Sequence, residues 1–494
     1  MTRALLVPDA APGVEPDPPG RWTAPARRWL PTAGPGLLML AVGLVGATTP
    51  TLSWDEIATA DAARRSVGQI WHLLQHVDGV FGPYYLFMHL WTTVAGASVL
   101  SLRLPSILAM AAAVAITAEL GRHVFGPVVG AVGGVLLCLL PNISRYAAEA
   151  RPYAMVCMFS VLALLLLYRV LERPSPLRWA GYAAATVAVG MSSLVGLAAL
   201  AGHLALVGLA VRRHPRQWRA LALSWGAAVA ATLLVLSPLI WWGLRERAEQ
   251  LYWVPPLTWG GVYVTPGGLV GSPEAAWLLI GLLIVALARR TGPVAEMAAA
   301  AVLPVVVVGV VSLIGPSFWV YRYLLFALLP LALVAAGGLA RFRRPELGAA
   351  LVVVLAAALP GQVAVRRPDV KNGSDYRTLA AVVRTHQEPG DDIVFQRGRT
   401  MRTGVEYYLR GDRGRPRDVL MQRSAAQTAT LTASEFPDAG ARLATASRIW
   451  LIAYGRRTDP TAGRPDLRQL LRSQYRRAGL WLAKLGTVAL YTRR

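Results

Sequence analysis

FGPYYLFMHLWTTVAGAS, residues 81–98, decides how this chain is threaded. The candidate span at 82–100 is apolar, yet it carries Tyr84, Tyr85, His89, Trp91 and the pair Thr92-Thr93, a composition suited to a helix lying in the membrane interface. Eleven other apolar stretches, at 33–50, 103–121, 127–141, 152–170, 179–194, 196–211, 220–242, 274–289, 294–314, 321–340 and 346–362, approach the roughly 20 residues that a bilayer crossing needs. If 82–100 stays out of the bilayer, the connections carrying Arg122, Arg169 to Arg178, Arg212 to Arg219, Arg289-Arg290 and Arg341 to Arg344 share one side with Arg21, Arg27 and Arg28. That is the positive-inside pattern. If it crosses, every cluster moves outside. The expectation is therefore an all-α multi-pass protein of the plasma membrane with eleven spans, its N-terminus cytoplasmic and its C-terminus outside.

Composition agrees. The chain has 494 residues, 55% of them hydrophobic and 16% charged, with a mean hydropathy of +0.44; a soluble fold of this length carries more charge. The net charge of +23 comes from 48 Arg and two Lys, Lys371 and Lys484, against 27 acids. Residues 363–494 hold +13 of it, and a basic domain beside a membrane is attracted to anionic head groups. No nucleic-acid motif accompanies the charge, so nucleic acid is not expected as a partner. Cys138 and Cys157 both lie in apolar stretches and build no disulfide framework. The Pro-, Ala- and Gly-rich N-terminus, residues 1–32, reads as a disordered cytoplasmic tail.

Residues 33–362 then form a transmembrane domain whose first external loop runs over 51–102, with further external segments at 142–151, 243–273 and 317–321. After Pro360 the pattern changes. Helical stretches at 374–387, 401–410 and 465–477 alternate with the short apolar runs 392–395 and 449–452, which predicts a small extracytoplasmic α/β domain over 363–494.

Acids are costly beside hydrocarbon, so their placement is informative. Residues 33–362 contain twelve Asp and Glu, and four of them, Asp55, Glu56, Asp61 and Asp78, fall within 24 residues. Asp55 can serve as general base on an incoming hydroxyl. Its neighbours Glu56 and Asp78 can bind sugar hydroxyls, hold a divalent cation such as Mg or Mn, or raise the base's pKa. A simpler role is also open: Ser53 or Asp55 can cap a helix through Ile57 to Arg65. The candidate phosphate ligands are Arg145, Arg151 and Arg322, each able to grip an anion in bidentate fashion or to anchor an interface. Arg145 and Glu149, one helical turn apart, can instead pair with each other. Tyr84, Tyr146 and Tyr153 stand beside these charges as candidate substrate contacts. His72, His76 and His89 have spacings that define no zinc site, and His203 reads as a satisfied core histidine. Trp241-Trp242 and Tyr252-Trp253 suit an aromatic belt or a stacking surface for a sugar or isoprenoid tail.

Several of these residues stand in ordered motifs: Trp54-Asp55-Glu56, His76-Val-Asp78 through Pro83-Tyr84-Tyr85, Arg103-Leu-Pro105-Ser106, Gly121-Arg122-His123 through Gly126, Ser144-Arg145-Tyr146 through Tyr153, and Arg322-Tyr323. Taken together the set resembles the glycosyltransferase C superfamily, in its bacterial branch related to protein O-mannosyltransferases, over residues 33 to about 340. The resemblance implies an inverting transferase whose donor is a polyprenyl-phosphate sugar, with Asp55 as base, mannose as sugar, and a glycan, glycolipid or protein acceptor outside the cell. The family's usual His-Pro-Pro-Leu-Tyr appears here as Phe81-Gly82-Pro83-Tyr84-Tyr85, and Arg151 stands where many relatives have an acid. A lipid or solute transporter is the rival class; its charges should sit at mid-membrane on broken, repeated helices. A ligase or polymerase of lipid-linked glycans is a variant within the enzyme class.

Overall fold

The computed structural model describes residues 24–288, 291–371, 375–397, 401–484 and 486–494. The expected tail up to residue 23, and Arg289-Arg290, lie outside them. Helix α1 (Ala24–Leu44) begins ahead of residue 33, and three short helices follow: α2 (Trp54–Ala63), α3 (Val67–Leu74) and α4 (Gly82–Ala95). Next come α5 (Val99–Phe125), α6 (Pro127–Leu139), α7 (Pro141–Ala147), α8 (Tyr153–Glu172), α9 (Pro176–Ser192) and α10 (Ala199–Arg213). The apolar series ends with α11 (Trp218–Leu251), α12 (Trp259–Val270), α13 (Pro273–Leu287), α14 (Gly292–Ile314), α15 (Leu328–Leu339) and α16 (Arg344–Ala364). These elements divide between two compact units, one comprising the chain through Val45 together with Arg103–Val365, the other Gly46–Leu102 together with Arg366–Arg494.

In the first unit, six helices among the described residues are long and apolar enough to cross a membrane, and up to eight if the bent pairs α6/α7 and α12/α13 each count once. The chain is a multi-pass membrane protein. The remaining expected spans are helical but shorter: the apolar part of α1, α9 with 17 residues and α15 with 12. The 74° bend between α6 and α7 falls at Pro141, whose missing N–H breaks the helical ladder. Between α12 and α13 the chain turns by 95° through Gly271, whose φ of +87° suits a residue without Cβ, and Pro273 starts the new helix. Helices α5 and α6 cross at small residues. A Cβ on Gly130 would lie 2.3 Å from the Ala118 carbonyl oxygen, so only glycine permits this approach.

The second unit contains α2, α3, α4 and a C-terminal α/β region. That region runs α17 (Tyr376–His386), β1 (Asp392–Phe395), α18 (Met401–Leu409), β2 (Arg417–Asp418), β3 (Met421–Arg423), β4 (Ser434–Glu435), α19 (Ala439–Leu443), β5 (Arg448–Tyr454), α20 (Pro465–Gln474), β6 (Tyr475–Ala483) and β7 (Gly486–Arg493). The main sheet has the order β2-β1-β5-β7-β6; β1 pairs in parallel with β2 and β5, and β7 runs antiparallel to both β5 and β6. One expectation needs correction. The helix foreseen over 465–477 ends at Gln474, because Tyr475 and the two arginines after it pair with β7. As for 82–100, α4 has 14 residues and a length of about 21 Å, short of the roughly 30 Å hydrocarbon thickness. It buries Tyr84, Tyr85 and Met88 while Leu86, Phe87, Leu90 and Val94 stay exposed.

Candidate active site

Asp55 and Glu56 open α2, and they are used differently. Ser53 is the N-cap: its Oγ accepts from the Glu56 N–H at 3.2 Å, and Glu56 Oε2 accepts from the Ser53 N–H at 2.9 Å. The sequence left Ser53 and Asp55 open as caps; the reciprocal box selects Ser53. Glu56 is also the partner of Lys371, whose Nζ donates to Oε2 at 3.1 Å, and the two residues are 0% and 2% exposed. Asp55, next to it, is half-buried and keeps access to solvent. Trp54 packs edge-on against Tyr454 at the end of β5, with ring centroids 5.9 Å apart.

Asp78 is buried and occupies the left-handed region with φ +61°, a conformation that Asp tolerates better than most residues. Tyr85 donates its hydroxyl to Asp78 Oδ2, which ties α4 to the turn before it. Tyr84 is likewise buried, against Phe87. The loop histidines serve local geometry, since His76 Nδ1 contacts the His72 carbonyl and His89 Nδ1 the Ala63 carbonyl. Among the described residues, no three His, Cys, Asp or Glu side chains are grouped so as to hold a metal ion.

Two candidate phosphate ligands of the first unit, Arg145 and Arg322, lie against aromatic rings. Arg322, in a 3-10 turn, has its guanidinium carbon 4.8 Å from the Trp253 ring centroid, 5.6 Å from Tyr323 and 5.7 Å from Tyr153. Such faces favour a cation. Tyr153 also meets Tyr146 edge-on, and Arg145 lies 5.4 Å from the Tyr146 ring. The buried Nε of Arg145 has no hydrogen-bond partner among the described residues. Arg151 is 5% exposed, and its carbonyl accepts from Ser106 Oγ. A separate cleft of about 510 Å³ is walled by Leu251, Tyr252, Val254 and Leu313, with Arg247, Ser312 and Ser317 as polar members; Trp253 does not line it. This is the size of an ordinary small-molecule site. Elsewhere in the unit His203 is 3% exposed and bonded to the Tyr182 hydroxyl, as a core histidine should be.

Sequence reasoning missed Lys371, which is 315 positions from its partner Glu56. It also missed Tyr454 as the support of Trp54. The rarity of lysine was the available signal for the first; the second left none.

Residues 83–242 match the family model described as dolichyl-phosphate-mannose-protein mannosyltransferase. The fold is similar to the crystal structure of ArnT from Cupriavidus metallidurans in the apo state, with a TM-score of 0.60 at 13% identity, covering 94% of this chain and 98% of that one. The same enzyme bound to undecaprenyl phosphate matches with a TM-score of 0.60 at 14% identity over 95% and 98% of the two chains. No curated protein sequence matches.

Proposed function

We propose that this chain, which carries the glycosyltransferase C fold, is an integral-membrane inverting glycosyltransferase that moves mannose from a polyprenyl phosphate to an extracytoplasmic hydroxyl acceptor. The sugar rests on the description of the matched family, and the lipid on the undecaprenyl phosphate bound by ArnT. The observation that carries the proposal is the Arg322 guanidinium, set against the rings of Trp253, Tyr323 and Tyr153. In this account the chain crosses the bilayer eleven times, with its N-terminus in the cytoplasm and residues 363–494 outside.

The chemistry follows from the residues. An acceptor hydroxyl gives its proton to Asp55, and its oxygen attacks the anomeric carbon of the sugar. The bond from that carbon to the phosphate oxygen breaks, and the electron pair leaves with the polyprenyl phosphate. One displacement inverts the anomeric centre. Arg322, with Arg145 or Arg151, offsets the charge that develops on the leaving phosphate, a task for fixed cations in a site poor in water. Glu56 is committed to Ser53 and Lys371, which supports a holding role for it rather than contact with substrate. The bond from Tyr85 supports the same for Asp78, while Tyr84, Tyr146 and Tyr153 remain candidate substrate contacts.

Purified protein given labelled polyprenyl-phosphate mannose and envelope acceptors should release polyprenyl phosphate and label the acceptor. Movement of labelled lipid between leaflets without transfer would instead favour a transporter.

A further inference from the structure

Helix α2 is held by partners far along the chain. Within the second unit, the Thr51 N–H donates to the Pro368 carbonyl at 2.9 Å, and the Leu52 N–H donates to the Tyr408 hydroxyl at 3.0 Å. Trp54 meets Tyr454, and Glu56 meets Lys371. The last contact is ionic, and both of its residues are buried. A buried carboxylate is tolerated when it is paired and hydrogen-bonded; deprived of its partner it must protonate or move toward water. Lys371 is also the less common choice, one of two lysines in a chain with 48 arginines. A compact ammonium presents three donors, whereas a guanidinium brings five in a rigid fork that a closed pocket has to satisfy.

We infer that Lys371 is a positioning residue for the transfer reaction: by neutralising Glu56 it keeps α2 seated, and so fixes the Asp55 carboxylate, the next residue in the chain, at its working position. This rests on the assignment of Asp55 as base. The residues after Arg366 are then part of the catalytic apparatus, although none of them need touch substrate. Without Lys371, Glu56 would pull the first turn of α2 toward water and carry Asp55 with it. With both charges removed, a glutamine at 56 still accepts from the Ser53 N–H, and nothing drives the shift.

The test compares full-length Lys371→Met, the double variant Glu56→Gln/Lys371→Met, and Asp55→Asn, using labelled polyprenyl-phosphate mannose and thermal midpoints to establish folding. Misplacement of a catalytic group should lower kcat of folded Lys371→Met by about 10²-fold. Its donor KM should stay within about twofold, and the double variant should recover kcat to within about threefold of wild type. Loss of fold alone would not produce that split or that rescue. Lys371→Met with wild-type kcat, or a folded double variant as slow as the single one, overturns the inference. Should Lys371→Met fail to fold, the double variant decides: activity supports the inference, and a folded, inactive protein refutes it. Asp55→Asn separates the two levels. Turnover there removes the base assignment itself, whereas a dead Asp55→Asn beside a normal Lys371→Met removes only the role of Lys371.

Discussion

Tyr85 Oη lies 2.6 Å from Asp78 Oδ2, and the tyrosine is fully buried. A phenol donating to a carboxylate at this distance makes a charge-assisted bond. Removing it with Tyr85→Phe should cost about 1.5–3 kcal/mol of stability. Turnover per folded molecule should stay within about twofold, because this bond orders a turn rather than the reacting atoms. Thermal unfolding and initial rates on the same preparation check both halves; unchanged stability with lost turnover would return Asp78 to the substrate.

Glu406 on α18 has its carboxyl pushed up to about 7, first by burial and then by the nearby Asp418 carboxylate, against the opposing pull of Arg402 and Arg415. A carboxyl raised in the folded state holds its proton more tightly there than in the unfolded chain. The sign follows: stability falls as pH rises from the ordinary carboxylate range to about 7, then levels off. The full penalty is on the order of 3 kcal/mol. Glu406→Gln should therefore stabilise the protein at pH about 8 and have little effect near pH 4.5. Unfolding midpoints of both proteins at the two pH values check it, and an equal difference at both would contradict it.

Arg322 tests the leaving-group half of the mechanism. Arg322→Ala should lower kcat by about 10²–10³-fold, the usual cost of losing one fixed donor to a developing charge. Arg322→Lys should restore little, since an ammonium lacks the planar face that lies against Trp253, Tyr323 and Tyr153. Rates at saturating donor are the measurement, and a Lys variant at wild-type rate would show that charge alone suffices.

Much of the fold was legible because membrane helices are written locally. Each depends on its own apolar run, and arginine placement together with composition argued that 82–100 does not cross; the helix formed there, α4, has 14 residues. Strands β1 and β5 were visible as short apolar runs between turn residues. The β6/β7 hairpin was not, because Arg476 and Arg477 mask the alternation and the pairing that makes them a strand is supplied by β7. At the candidate site the capping role of Ser53 could be read from Ser53-Trp54-Asp55-Glu56, since the box is a three-residue relation. The partner that consumes Glu56 could not, because a buried ion pair across 315 positions leaves no periodic signal. The same holds for the rings around Arg322: Tyr323 is its neighbour, but Tyr153 and Trp253 come from other elements.

Asp55 carries the central claim. In Asp55→Asn the side chain keeps its size and loses its basicity, while the Ser53–Glu56 box and the Glu56–Lys371 pair are left in place. The most direct measurement is release of polyprenyl phosphate from labelled polyprenyl-phosphate mannose by folded Asp55→Asn in membranes, with donor binding followed in parallel. Loss of a general base predicts a fall in turnover of about 10²–10⁴-fold with donor binding retained. Turnover near wild type in well-folded Asp55→Asn would contradict the account.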